Sequence, residues 1–197
     1  MAFEHAIALT GSISTGKSTT VKLLEAAGFH IIDADTIAHQ VLDEQHEAIS
    51  QRFGDAFVKD EKVDRKSLGA VVFSDEEKRK ALEALLHPLI YEEIKRLSIE
   101  EDKLGKPYFI DIPLFFESKR YPIERSLVVY ATREQQLERL IDREGYTQEE
   151  ALKRMDTQIP VEEKRKLATY VIDNSGTLTQ LGQECERVKK EILDDSN

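Results

Sequence analysis

The sequence predicts an α/β fold in which a parallel sheet is covered by helices on both faces. Three observations predict it. Short apolar runs alternate with amphipathic segments through most of the 197 residues. The first apolar run passes directly into the glycine-rich stretch "GSISTGKS" (11–18) and then into a helix-forming segment. The later apolar runs are continuous rather than alternating, as strands buried on both faces are.

The elements follow in order. "HAIALT" (5–10) reads as a strand ending at the glycine-rich turn. After it, Val21, Leu23, Leu24 and Ala27 fall at helical spacing, with Gly28 as the stop. "FHIID" (29–33) reads as a second buried strand, and "ADTIAHQVLDE" places Ile37, Val41 and Leu42 on one face of the next helix. A longer, mostly helical stretch then runs to Pro107. In it Leu82, Leu85 and Leu86, then Leu89, Ile90, Ile94 and Leu97, have core spacing, and Pro88 marks a break. So much helix between two strands predicts an inserted substrate lobe. "PYFIDI" (107–112) and "SLVVYA" (126–131) read as central strands and "ATYVIDN" (168–174) as the last. Between them, residues 132–166 carry both charge signs in short helices broken at Gly145 and Pro160, and read as a mobile lid. The expected organisation is one domain: a core of 1–34, 107–131 and 167–197, a helical insertion of 35–106, and the lid.

Composition narrows the function. Hydrophobic residues make up 40% and charged residues 34%, which suits a folded enzyme and excludes a disordered chain. A formal charge of −10 argues against nucleic acid and anionic membrane as partners, since both are polyanions. A small anionic ligand remains compatible where Lys and Arg gather locally. Cys185 is the sole cysteine, so no intramolecular disulfide or cysteine zinc site forms; it reads as a small apolar filler in a reducing compartment. No secretory leader and no run of eighteen apolar residues is visible, and a cytoplasmic location is expected.

"GSISTGKS" fits the phosphate-cradling pattern G-x-x-x-x-G-K-[ST], and it sits between a strand and a helix as that pattern requires. Gly11 and Gly16 let backbone N–H groups approach phosphate, Lys17 reaches the β- and γ-phosphates, and Ser18 binds Mg²⁺. "DAD" (33–35) follows the second strand, where ligands of open α/β sheets bind. Either it caps the next helix or one carboxylate accepts a proton; the division favoured is Asp33 structural and Asp35 chemical. Asp111 ends its strand where an acid near Mg²⁺ is expected. "PLFFE" (113–117) adds two aromatics, read as core or pocket wall, and Glu117. In the lid, Arg139 and Arg143 share a helical face opposite Leu137, Leu140 and Ile141. They read as a solvated face paired with Glu138 and Asp142, or as cations brought to a transferring phosphoryl group. His87 reads as structural or acceptor-binding.

Taken in order, the phosphate loop, "IIDAD", "FG" (53–54), "VDRKSL" (63–68), "VF" (72–73), "HP" (87–88), "PLFFE", "QQLERLIDR" (135–143), "TQ" (157–158) and "VIDNSG" (171–176) resemble bacterial dephospho-CoA kinases along essentially the whole chain. The resemblance implies a P-loop kinase of nucleoside-monophosphate-kinase type, with a helical acceptor-binding insertion and a lid. It implies ATP and Mg²⁺ as cofactors and dephospho-CoA as acceptor, phosphorylated on its ribose 3′-hydroxyl, by a monomer or homo-oligomer. It assigns Asp35 as general base, with Lys17, Arg139 and Arg143 stabilising the transition state. The nucleotide set is Gly11, Ser14, Thr15, Gly16, Lys17, Ser18, Thr19 and Asn174, the last near adenine. The acceptor set is Asp33, Arg65, His87, Pro88, Phe115 and Glu117.

Two departures from the family pattern matter. The loop has Ser12, Ser14 and Thr15 where the family commonly has Gly, Gly and Ser, and a serine at positive φ would cost about 1–2 kcal/mol. Phe115 replaces a commoner leucine. A kinase for a nucleoside monophosphate would carry other acceptor signatures than "HP" and "PLFFE". A GTP switch would carry N-K-x-D, which is absent. A nonenzymatic sensor would explain Lys17 and leave Asp35 and the arginines unexplained.

Overall fold

The structure is a computed structural model that describes residues 2–196. It contains two compact units, one of Met1–Ile32 with Ser98–Asn197, the other of Asp33–Leu97.

In the first unit, β1 (Ala6–Gly11) leads through the phosphate loop into α1 (Lys17–Ala26), and β2 (Ile31–Asp33) follows a turn at Gly28. The second unit contains α2 (Ala34–Glu44), α3 (His46–Phe53), a hairpin of β3 (Val58–Lys59) and β4 (Lys62–Val63), α4 (Arg65–Ser74) and most of α5 (Glu76–Asp102). The chain then returns to the first unit with β5 (Tyr108–Asp111), α6 (Phe115–Ser118) and β6 (Arg125–Tyr130). After these come α7 (Arg133–Glu144), α8 (Gln148–Met155), α9 (Val161–Leu167), β7 (Tyr170–Asp173) and α10 (Leu178–Asp195).

The five main strands lie in the order β2-β5-β1-β6-β7. The pairs β1–β5, β1–β6 and β6–β7 are parallel, with Leu9 opposite Asp111 on one side and Leu127 on the other. Every residue of β1 is buried, as its central place demands. Because the chain steps from β5 over β1 to β6, the crevice at the carboxyl ends of these strands opens where β1 becomes the phosphate loop.

One sheet face is sealed by α1 and α10. Ile7, Leu9, Phe109, Leu127, Val129 and Ile172 pack there with Leu24, Leu181, Val188 and Ile192. Cys185 belongs to the same cluster, and burial, helped by Glu184 and Glu186, pushes its thiol up to about 11. It is therefore protonated at neutral pH and acts as the apolar filler expected of it. On the opposite face, Val128 and Tyr130 pack against Val161 of α9. Helices α7 and α8 begin with capping boxes, Thr132 with Gln135 and Thr147 with Glu150, and α7 stops at Gly145. Leu140, Ala151 and Met155 form their own cluster, on which Ile13 of the phosphate loop packs.

Two features of the second unit differ from expectation. The β3–β4 hairpin turns through Asp60 and Glu61, at φ 50° and 61°, a two-residue turn of primed type without the glycine that usually announces it. Pro88 does not break its helix: α5 runs uninterrupted from Glu76 to Asp102. The N–H that proline lacks would have met the carbonyl of Ala84, and both residues are exposed, so water can serve that carbonyl while Leu86 stays buried; Leu89, expected in the core, is exposed. Among the described residues no helix is long and apolar enough to cross a membrane.

A proline tolerated inside a helix still carries its intrinsic penalty. Pro88→Ala should therefore raise the unfolding free energy by about 1–3 kcal/mol in guanidinium titration, and a lower midpoint would contradict the account of α5 given above.

Candidate active site

Helix α1 starts at Lys17, and while the Thr19 and Thr20 N–H groups turn to the carbonyl of its N-cap Gly16, those of Lys17 and Ser18 come before any carbonyl of their own helix that they could meet. They supply a fixed partial positive charge, suited to phosphate. Two glycines shape the loop that leads into them. Gly16 sits at φ 89°, and a Cβ there would stand 2.0 Å from Asn174 Nδ2. A Cβ on Gly11 would stand 2.7 Å from Thr15 Oγ1 and 3.1 Å from the Val129 carbonyl. Of the two serines that replace glycines, Ser14 does take positive φ, 57°, with its Oγ buried and unbonded. Ser12 does not, and its Oγ donates to the Ile159 carbonyl at 3.1 Å.

Side chains from distant segments fasten the loop. Asn174 Nδ2 donates to the Thr15 carbonyl at 2.8 Å, and the Asn174 backbone N donates to Tyr130 O at 2.7 Å. Arg139 Nη2 donates to the Asn174 carbonyl at 3.0 Å. Its Nη1 is buried without a hydrogen-bond partner, 3.9 Å from where a Gly16 Cβ would stand. Lys164 Nζ, on a side chain with no exposed surface, donates to the Gly11 carbonyl at 2.9 Å and pairs with Glu117 Oε1 at 2.8 Å. Glu117 Oε1 also accepts from the Ile159 N–H at 3.1 Å, while Oε2 is buried and unbonded. Gln158 Oε1 accepts from the Ile13 N–H at 3.0 Å.

Lys17 donates to both oxygens of Asp111, at 2.5 and 2.6 Å. The cation expected to face phosphate is thus held by the acid at the end of β5, and this anion keeps the ammonium compensated in a largely buried place. Ser18 and Thr19 lie exposed in the first turn of α1. Among the described residues no group of three or more His, Cys, Asp or Glu is arranged around a metal position. The hydroxyl of Ser18 and the carboxylate of Asp111 are nevertheless hard oxygen donors of the kind that Mg²⁺ takes when phosphates and water complete its shell.

The first unit therefore brings together Gly11, Ser14, Thr15, Gly16, Lys17, Asp111, Asn174 and Arg139. Arg143 is not among them: its side chain is 58% exposed and pairs with Glu144. Phe115 and Phe116 pack edge to face at 5.2 Å, Phe116 against the Val128–Tyr130 face of the sheet. Lys164 was not singled out by the sequence, and Gln158 entered only through the "TQ" motif, without a role. Lys164 lies in the charge run "EEKRK", which resembles a solvated face. The readable signal was spacing, since Val161 and Lys164, three apart, fall on one side of α9.

In the second unit Asp33 caps α2, its Oδ1 accepting from the N–H groups of Asp35 and Thr36 and its Oδ2 from Thr36 Oγ1. Asp35 is exposed in the first helical turn. A cleft of about 640 Å³ is lined by Thr36, His39, Asp43 and Arg65 among others. Arg65 Nη2 meets Asp43 Oδ2 at 2.8 Å. Burial works to raise the Asp43 carboxyl, but the Val63 N–H and Arg65 outweigh it and hold it below the ordinary carboxylate range. His87 and Pro88 lie on α5 and do not line this cleft.

The sequence profile of the dephospho-CoA kinase family matches residues 5–180. The dephospho-CoA kinase of Sulfurimonas denitrificans is 50% identical over 192 residues, covering 98% of this chain and 96% of that one. That of Helicobacter pylori strain J99 is 46% identical over 196 residues, covering 98% and 100%. The solved dephospho-CoA kinase of Campylobacter jejuni superposes with a TM-score of 0.73 at 36% identity, covering 95% of this chain and 97% of that one. TT1252 of Thermus thermophilus superposes at 0.77 with 39% identity, covering 96% of each chain. The chain belongs to the dephospho-CoA kinase family.

Gly16 is constrained twice, by its backbone angle and by Asn174. Gly16→Ala should weaken ADP binding in calorimetric titration by about tenfold or more while the circular dichroism stays native. A folded variant with wild-type affinity would show that the loop yields at this point.

Proposed function

We infer, from this family membership, that the chain phosphorylates the ribose 3′-hydroxyl of dephospho-CoA with ATP, giving coenzyme A and ADP. The acceptor rests on the match along nearly the whole chain. The phosphoryl chemistry rests on one geometric observation: a bare helix N-terminus beside Lys17, whose ammonium already faces a compensating carboxylate.

In the proposed reaction the 3′-oxygen attacks the γ-phosphorus, the bond from that phosphorus to the β,γ-bridging oxygen breaks, and the hydroxyl proton passes to Asp35. Lys17 leaves Asp111 for the phosphate oxygens, an exchange of one anionic partner for another that costs little electrostatically. Asp111 and Ser18 are the residues we assign to Mg²⁺, which when bound would offset the charge of the β- and γ-phosphates. Of the two lid arginines, Arg139 is assigned to the transferring phosphoryl group, because its buried Nη1 lacks an acceptor whereas Arg143 is exposed and paired. Asn174 and residues 14–19 hold the nucleotide. Arg65 is assigned to the acceptor through the cleft it lines, with Asp33, His87, Pro88 and Phe115 as further acceptor-side residues. Glu117 has only Oε2 to offer an acceptor. A cytoplasmic site of action belongs to the same proposal, supported by the lone, buried cysteine.

The defining assay is Mg²⁺-dependent ADP release with dephospho-CoA, AMP, CMP or no acceptor, with the product identified by mass. Turnover confined to dephospho-CoA and yielding coenzyme A is expected; turnover confined to a monophosphate overturns the acceptor. Asp35→Asn should lower kcat by about a hundredfold or more with the KM for ATP within about twofold of wild type. Parallel losses in both would remove Asp35 from the base role.

A further inference from the structure

We propose that Lys164, Glu117 and Gln158 form a buried clasp that positions the phosphate loop, and that nucleotide affinity depends on it. Three consecutive loop residues are each held by one group from the segment 158–164. The Gly11 carbonyl accepts from Lys164 Nζ, Ser12 Oγ donates to the Ile159 carbonyl, and the Ile13 N–H donates to Gln158 Oε1. Glu117 closes the arrangement, its Oε1 taking both the Lys164 ammonium and the Ile159 N–H.

The chemistry of the pair explains why it acts on geometry. A buried ion pair gains little net stability over apolar side chains of the same volume, because both charges leave water. What it supplies is direction: an ammonium with no exposed surface has only the partners built around it, so Gly11 O and Glu117 Oε1 are fixed relative to each other. The clasp also takes no N–H group from the first turn of α1. It therefore removes freedom from the front of the loop and leaves the phosphate-facing donors open, which lowers the ordering cost that binding would otherwise carry. Lys164, Glu117 and Gln158 are positioning residues, acting on nucleotide through the loop backbone.

The inference rests on the nucleotide half of the proposed function alone. ADP binding needs no acceptor, so a failed dephospho-CoA assay leaves it standing, and its own failure leaves the acceptor reading untouched. The test measures ADP affinity, KM for ATP, KM for acceptor and thermal stability in Lys164→Met, in the double variant Lys164→Met/Glu117→Gln, and in Gln158→Ala. The double variant comes first, because it leaves no unpaired charge in the core.

Lys164→Met and the double variant should each bind ADP about tenfold more weakly, with the KM for ATP rising in step; in Lys164→Met, which leaves Glu117 in place, the KM for acceptor should stay within about twofold. Their losses should be equal rather than multiplied, since the two residues act as a unit. A purely structural pair would lower the melting temperature and leave the affinity of the folded molecules unchanged. ADP binding within about twofold of wild type by a folded variant lacking Lys164 therefore overturns the proposal. Should neither fold, unchanged affinity in Gln158→Ala overturns it, and a loss of about threefold or more supports it.

Discussion

A phosphate-binding loop must keep backbone donors bare and yet hold still. Donors left unpaired normally favour disorder, because nothing in the chain holds them. Here four loop groups are tied to residues far along the sequence. Gly11 O goes to Lys164, Ser12 Oγ to Ile159, Ile13 N to Gln158 and Thr15 O to Asn174. Thr10 Oγ1, at the end of β1, goes to Pro113 O. The order β2-β5-β1-β6-β7 makes this possible, since with β1 between β5 and β6 the segments that follow both neighbours meet at its end.

The same constraint decides where charge is placed. The chain carries a net charge of −10, yet Lys17, Lys164 and Arg139 converge on one loop. Two of the three are paired with carboxylates, Lys17 with Asp111 and Lys164 with Glu117. Pairing lets cations persist in a place too buried for a lone ammonium. The pairs differ in burial, and the difference matches their uses. Lys17 is partly open and its carboxylate can be exchanged for phosphate, whereas Lys164 is closed off and has nothing to exchange with. The left-handed Ser14 adds strain of about 1–2 kcal/mol, held in place by the anchors on either side of it.

Patterns local in sequence were legible. Strands β1, β5, β6 and β7 are short apolar runs, and the loop, α1 and the cap at Asp33 follow from glycine, lysine and aspartate at fixed offsets. The small hairpin was not legible, because two-residue strands have no period and Asp60–Glu61 is an uncommon turn pair. Pro88 misled because a proline rule counts one missing N–H, and here the carbonyl left without it lies on an exposed side of α5. At the site, the residues proposed to face ligand belong to motifs, whereas what Lys164 and Gln158 hold, a carbonyl and an N–H about 150 positions away, leaves no local signature. Charge runs look alike in sequence whether one member turns inward or not.

The adjacent acids Asp33 and Asp35 illustrate how backbone geometry divides labour between like residues. Both follow β2 and carry the same carboxyl group, so composition cannot separate them. Helix geometry does: the N-cap position turns its side chain back onto the first N–H groups, and Asp33 accepts from three donors there. Two residues on, Asp35 has entered the helix and its side chain projects outward, exposed. An acid that must receive a proton from a substrate needs open oxygens, and one that must hold a helix in place needs satisfied ones. The spacing of two places one of each at the end of a single strand, so the cap that fixes α2 also fixes the direction of the residue proposed to do chemistry.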